Sequence, residues 1–204
     1  MATSPQSKID PSSLPPVSLD RMVRAVEKVK QRLLRTSAIL TKAEIPFAVV
    51  GGNAVAAWVS RVDEAAVRNT QDVDILIRRE DLDRVKEAME AEGFVYGQSM
   101  SADFFLDGPD GKIRDAVHLL FAVEPVKVND PIKTPDVLQV DKSGEFPIVE
   151  LEALVAMKLV AFCDKDRTHL RDMIEIELID ATWPARYPGT LGDRLQQLLD
   201  DPDG

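Results

Sequence analysis

The reading of one stretch decides the fold: VVGGNAVAAWVSRVDEAAVRNTQDVDILI, Val49–Ile77. It opens on the end of a continuous apolar run, Phe47–Val50, which follows Pro46 and reads as a short buried strand. Gly51 and Gly52 come next, followed by Ala and Val positions that read as a turn feeding a short helix. Glycines at such a junction leave backbone N–H groups free and let an anion approach the chain closely. Further on, DVDILIRR alternates as a strand, with Asp72 and Asp74 facing one way and Val73 and Ile75 the other. Two carboxylates so placed can share one divalent cation; Mg²⁺ takes one or two, with phosphate oxygens and water completing its shell. Each half also has a plain structural reading, a packing turn and a solvated strand edge. No Gly-Lys-Ser/Thr follows the glycines, and the Gly-x-Gly-x-x-Gly spacing is missing, so neither a P-loop nor a dinucleotide fingerprint is present.

Outward from this stretch, Asp20 to Thr41 repeats apolar residues at helical spacing, with Arg and Lys on the other face. REDLDRVKEAMEAEGF is an amphipathic helix closed by Gly93. FVYGQ, ADFFLDGPDGK and IRDAVHLLFA read as strands, DGPDG being a hairpin turn, and short strands are expected near Val126–Val128 and Phe146–Val149. Beyond Glu150 the pattern is helical: LEALVAMKLVAFC, a polar junction DKDRTH, then LRDMIEIELI and LGDRLQQLLDD. The expected fold class is α/β (α+β), a small mixed β-sheet flanked by helices with a helical C-terminal part. Its expected division is a disordered Ser/Pro-rich leader over 1–17, a core over 18–149, and a helical part over 150–204 completing a cleft.

The 204-residue chain is long enough to bury a core, and no apolar run reaches the length of a membrane span. A single cysteine, Cys163, reads as a packing residue in a reducing compartment, so a cytoplasmic protein is expected. The net charge of −10 argues against a general nucleic-acid coat and leaves room for a local basic pocket.

Strand, Gly-Gly, short helix, a loop carrying Arg68 and Thr70, then Asp72-x-Asp74 together resemble the polymerase-β-like nucleotidyltransferase superfamily. The arrangement is similar to the AbiEii-type nucleotidyltransferases of abortive-infection and toxin–antitoxin systems. Arg68-Asn69-Thr70 matches their arginine-threonine before the acids, and MKLVAFCDKDRTHLRDM their C-terminal lysine-then-aspartate helices. The resemblance covers about Phe47–Ile179 and implies an enzyme that moves an NMP group from an NTP to an acceptor hydroxyl on RNA, a protein or a small molecule. It implies Asp72 and Asp74 as ligands of Mg²⁺, or of Mn²⁺ in its place. Gly51, Gly52, Asn53, Arg68, Thr70, Lys158 and Arg167 would contact the nucleotide, and an antitoxin protein would be a partner.

Lys158 lies inside an otherwise apolar helix, where an ammonium needs a phosphate, a carboxylate or an outlet to water. Asp172 could orient Lys158 or Arg167, or form an interhelical salt bridge. His169 reads as solvent-facing or capping. Relatives of this superfamily add a third carboxylate on a neighbouring strand; the matching stretch here, IRDAVHLLF, carries His118, and Asp115 falls on the opposite side of such a strand. His118 is therefore a candidate general base or metal ligand, with a structural histidine as the other reading. The departure also motivates an alternative, a weak or inactive nucleotide-binding module with a regulatory or partner-binding role.

Overall fold

Alternation in the two central strands sets the architecture. The computed structural model describes residues 10–99 and 102–202. Strand β1 (Phe47–Val50) pairs antiparallel with β2 (Val73–Ile77), Val50 opposite Asp74. On one side of these strands Phe47, Val49, Val73, Ile75 and Ile77 are buried with helices α1 (Leu19–Lys42) and α3 (Leu82–Ala91). On the other side Ala48, Val50 and Leu76 join a second apolar core with α2 (Gly51–Ser60) and the C-terminal helices. The sheet is thus covered on both faces, which explains why β1 reads as a continuous apolar run.

The remaining strands are β3 (Val95–Gln98), β4 (Asp103–Leu106), β5 (Val117–Phe121), β6 (Val140–Asp141) and β7 (Ile148–Val149). They complete a seven-stranded sheet of order β3-β4-β5-β2-β1-β7-β6, and it is the mixed, helix-flanked sheet that the sequence led us to expect. β2 lies parallel to β5 and β1 parallel to β7, while the other pairs are antiparallel. The turn expected at DGPDG falls in the β4–β5 connection, where Gly108 takes φ +85° and Gly111 N–H bonds the Gly108 carbonyl. Helices α4 (Leu151–Ala161), α5 (Asp164–Glu175) and α6 (Thr190–Asp200) follow. Trp58 Nε1 donates to the Val149 carbonyl at 3.0 Å, tying α2 to β7, and Tyr187 Oη donates to the Glu152 carbonyl at 3.0 Å, tying the loop before α6 to α4.

Several local readings need correction. Val126–Val128 is a loop, because Pro125 removes a donor and the Asp130 carboxylate captures the Lys127 N–H at 2.7 Å. Ile113–Asp115 is a 3₁₀ turn rather than the start of a strand, and β5 begins only at Val117. DKDRTH is no junction: it is the first part of α5. The break between α4 and α5 lies at Phe162, in the left-handed region at φ 44°. Cys163 is exposed and caps α5, its Sγ donating to Asp166 Oδ2 at 2.9 Å, so it is not a packing residue. α5 ends at Glu175, before Glu177 turns to positive φ. Of the expected leader, residues 1–9 lie outside the described residues, while Pro11–Ser13 forms a 3₁₀ turn braced by Asp10, which accepts from Ser12 N–H at 2.9 Å. Among the described residues no helix is long and apolar enough to cross a membrane.

Candidate active site

The end of the sheet where β1 stops and β2 and β5 begin gathers the unusual residues. Gly51 takes φ +65°, and a Cβ there would lie 1.9 Å from Asp74 Oδ2. A Cβ on Gly52 would lie 2.9 Å from Thr70 Oγ1. Gly51 is therefore packed directly on the acidic end of β2 and Gly52 on the loop leading into it, so the two halves of the opening stretch form one structure. The missing side chains leave the backbone at the start of α2 facing carboxylate oxygens.

Loop residues fix the first acid. Thr70 Oγ1 donates to Asp72 Oδ1 at 2.6 Å, and Asn53 Nδ2 to the Asp72 carbonyl at 2.8 Å. Lys165, on the first turn of α5, brings its ammonium to 3.4 Å from Asp72 Oδ1. Burial pushes the Asp72 carboxyl up, but the Thr70 hydroxyl and the Lys165 charge outweigh it and hold it below the usual range. Asp74 differs. Burial and then the neighbouring Asp72 charge push its carboxyl from 3.8 up to about 6, against the opposing influence of His118, Lys158 and Lys165.

His118 is the register partner of Asp74 on parallel β5, so the two side chains stand on one face of the sheet. Asp115, in the preceding 3₁₀ turn, pairs with Arg114 at 3.6 Å and faces away from the cleft that Asp74 lines. No β-bulge re-aims it. Lys158 is buried, and its Nζ bonds Asp166 Oδ1 at 2.8 Å. Burial raises the Asp166 carboxyl, but the Lys158 charge and the Cys163 thiol overcome that and lower it. Lys158, Asp166, Gly51 and Asp74 line one cleft of about 200 Å³ under α4, together with Lys127 and Lys133 from the β5–β6 loop.

Of the expected contributors Gly51, Asp74 and Lys158 line this cleft, while Gly52, Asn53, Thr70, Asp72 and His118 lie beside it and Arg68 and Arg167 are engaged elsewhere. Arg68 Nε bonds Asp172 Oδ2 at 2.6 Å, so Asp172 orients neither Lys158 nor Arg167. Arg167 is tied to Asp164 on its own helix. His169 is buried, contrary to its sequence reading, because α5 turns it toward the helical core; burial and the Lys158 charge push its imidazole down to about 4. Sequence reasoning missed Lys165, Lys127, Lys133 and Asp166. Lys165 and Asp166 were legible as a charged pair at a helix start; the two loop lysines carried no signal.

The donor set suits a hard cation. Asp72 and Asp74 offer oxygens beside a glycine cradle, and the repulsion from Asp72 that adds to burial in raising Asp74 is what a divalent ion would relieve. Among the described residues no group of three or more His, Cys, Asp or Glu side chains converges, so a cation would be held by two carboxylates with phosphate and water.

A mixed sheet with a glycine turn set against paired carboxylates and lysines from a helical half defines a protein of the nucleotidyltransferase class. The chain belongs to the family described as "Uncharacterised nucleotidyltransferase", which matches residues 12–191. No curated protein matches it. Among solved structures, an antigenic nucleotidyltransferase-like protein from Paracoccidioides brasiliensis shares its fold, with a TM-score of 0.57 and 17% identity over 88% of this chain and 91% of that one. JHP933 from Helicobacter pylori gives a TM-score of 0.45 at 20% identity, covering 92% of this chain and 78% of that one. The antibiotic-resistance factor ANT(2'')-Ia gives 0.46 at 15% identity, covering 89% and 98%.

Proposed function

We propose that this protein is a divalent-metal-dependent nucleotidyltransferase that moves an NMP group from an NTP to an acceptor hydroxyl and releases pyrophosphate. The observation that carries the reading is Gly51 packed on the Asp74 carboxylate at the mouth of a cleft whose other wall presents buried Lys158. Asp72 and Asp74 would hold Mg²⁺, or Mn²⁺ in its place, which when bound lends Lewis-acid stabilisation to the attacking and leaving oxygens. The glycine turn admits the triphosphate to the start of α2. Lys158 and Lys133 face the cleft where the leaving pyrophosphate gathers charge. The acceptor oxygen forms a bond to the α-phosphorus as the bond from that phosphorus to the bridging oxygen breaks, and His118 takes the acceptor proton. Thr70 and Asn53 act through Asp72, and Arg68 through Asp172, as positioning residues.

A second reading rests on His118 occupying the register position opposite Asp74 where relatives carry an acid: a nucleotide-binding module without turnover. One experiment separates the two. With Mg²⁺ and each α-labelled NTP, label is expected in an acceptor from total RNA, protein or small molecules, absent from Asp72→Ala and reduced by about a hundredfold or more in His118→Ala, in line with loss of a general base. Mg²⁺-dependent NTP binding without label in any acceptor would leave only the module. The toxin-type role belongs to the same proposal, and its support is the linked Arg68-Asn69-Thr70 segment, whose Arg68 and Thr70 reach Asp172 and Asp72.

The Lys158–Asp166 pair makes a further prediction. Lys158→Met strands the buried Asp166 carboxylate, and unfolding in urea is expected to show a loss of about 3 kcal/mol. Lys158→Met/Asp166→Asn is expected to recover most of that loss, while calorimetry still finds NTP affinity reduced. Recovery of both would make the pair purely structural.

A further inference from the structure

Lys165 takes no part in the proposed transfer, yet among the described residues it is the one cation within ion-pair distance of either acid. Its Nζ stands 3.4 Å from Asp72 Oδ1, and its charge reaches Asp74 as well. The position is a costly one for an ammonium. Lys165 lies in the first turn of α5, where the positive end of the helix dipole suits carboxylates such as Asp164 and Asp166 and disfavours a cation. Asp72 is what offsets that cost. The hold is loose, however: the side chain is 52% exposed, and exposed pairs contribute little to stability. Lys158 is the contrast, 9% exposed and 2.8 Å from Asp166 Oδ1. One lysine is committed to its carboxylate, and the other can let go.

The oxygen that Lys165 holds is already shared, since Asp72 Oδ1 also accepts from Thr70 Oγ1 at 2.6 Å. A divalent cation on Asp72 and Asp74 would bring two positive charges close to the ammonium, and like charges at such range repel. Thr70 can stay, because a hydroxyl carries no charge. Lys165 cannot, and its flexible four-carbon stem gives it somewhere to go. The new anion within reach is a phosphate of the nucleotide that completes the cation's shell. We propose that Lys165 is a hand-over residue: it holds Asp72 until a divalent cation arrives with the NTP, then gives up that oxygen and takes a phosphate oxygen of the nucleotide. In this role Lys165 opposes binding of the bare cation and favours binding of the metal–nucleotide complex. The acid pair thereby selects metal that comes with its substrate. The inference rests on the proposed transferase reading of the acid pair.

The test is calorimetry on full-length wild type, Lys165→Met and Lys165→Arg, with Mn²⁺ alone and with the Mg²⁺ complexes of the four α,β-methylene NTPs, which cannot be turned over. The side chain is half exposed, so both variants are expected to fold, and their melting temperatures check this. Lys165→Met is expected to bind Mn²⁺ about fivefold tighter, the factor by which an exposed ion pair competes. The same variant is expected to bind the metal–nucleotide complexes about tenfold more weakly, for want of one hydrogen bond from a charged donor. Lys165→Arg, which keeps the charge, is expected to bind Mn²⁺ as wild type does. Opposite signs for the two ligands are a result that a merely structural lysine does not give. If both affinities fall in Lys165→Met, the lysine only braces Asp72 and the hand-over is overturned. If neither moves while wild type binds nucleotide, the hand-over is overturned and the transferase reading is spared. Wild type that binds Mn²⁺ but none of the four nucleotides would sink the transferase reading, and the phosphate step with it.

Discussion

Replacing Asp74 by asparagine is expected to stabilise the protein at pH 8 while removing NMP transfer. The carboxyl of Asp74 is pushed up to about 6 by burial and by Asp72, against 3.8 for an ordinary aspartate. A group whose folded value lies above its unfolded one favours the fold below the unfolded value and loses that advantage as pH rises through the folded one. Between roughly pH 4 and 6 the wild type therefore gives up stability, and above pH 6 it carries the full penalty of the charged carboxylate, at most about 3 kcal/mol. The asparagine variant never charges. Its melting temperature is expected to exceed the wild-type value at pH 8 and to meet it near pH 4. His169 titrates with the opposite sign, losing stability as pH falls from about 6.5 toward its folded value of about 4, but it is common to both proteins and cancels in the difference. The proposed transferase reading adds a kinetic result: transfer is expected to fall about a thousandfold or more, as befits the several kcal/mol that a metal supplies to the transition state. A variant less stable at pH 8 would show that Asp74 is a structural anchor instead.

Gly51→Ala is expected to damage the same centre from the other side. The backbone at Gly51 has φ +65°, where an alanine costs about 1–2 kcal/mol, and its Cβ would be 1.9 Å from Asp74 Oδ2. The carboxylate and the start of α2 must part. Displacements of about 1 Å can cost about a hundredfold in rate, and a loss of that size or larger is expected, with stability lowered beyond the φ cost alone. Gly108→Ala is the control: its φ is +85°, and nothing lies within 4 Å of its Cβ. Equal losses of stability in the two variants would deny that Gly51 is pressed on Asp74. Gly52→Ala, whose Cβ would meet Thr70 Oγ1 at 2.9 Å and Thr70 Cβ at 3.0 Å but carries no positive φ, is expected to fall between them.

Much of this centre was legible in the sequence, because strand alternation and a glycine turn act over a few residues. The period of two placed Asp74 away from Val73 and Ile75 without knowledge of their neighbours. What could not be read is long-range pairing. Which strand stands beside β2 decides that His118, and not Asp115, meets Asp74. Lys165 reaches Asp72 only because Phe162 turns the chain through the left-handed region between α4 and α5, a conformation that a phenylalanine does not advertise. DKDRTH read as a junction because its charges suit a loop; Cys163 and Asp166 capping each other made it a helix. Val126–Val128 failed as a strand because β5, the strand before it, is already flanked by β2 and β4, and the Asp130 carboxylate holds the Lys127 N–H in a turn.

The pairing of β1 with β2 carries one more consequence. Ile75 and Ile77 complete the core under α1 and α3, while Asp74, one residue before Ile75, points to the other face. A slip of one residue along β1 would turn all three over, thrusting the carboxylate into hydrocarbon and stripping two isoleucines from their core. The cost of that error is set by oil and water, not by any ligand. Correct threading of the sheet and correct delivery of the acid are thus a single event, and the greasy residues act as proofreaders for the charged one.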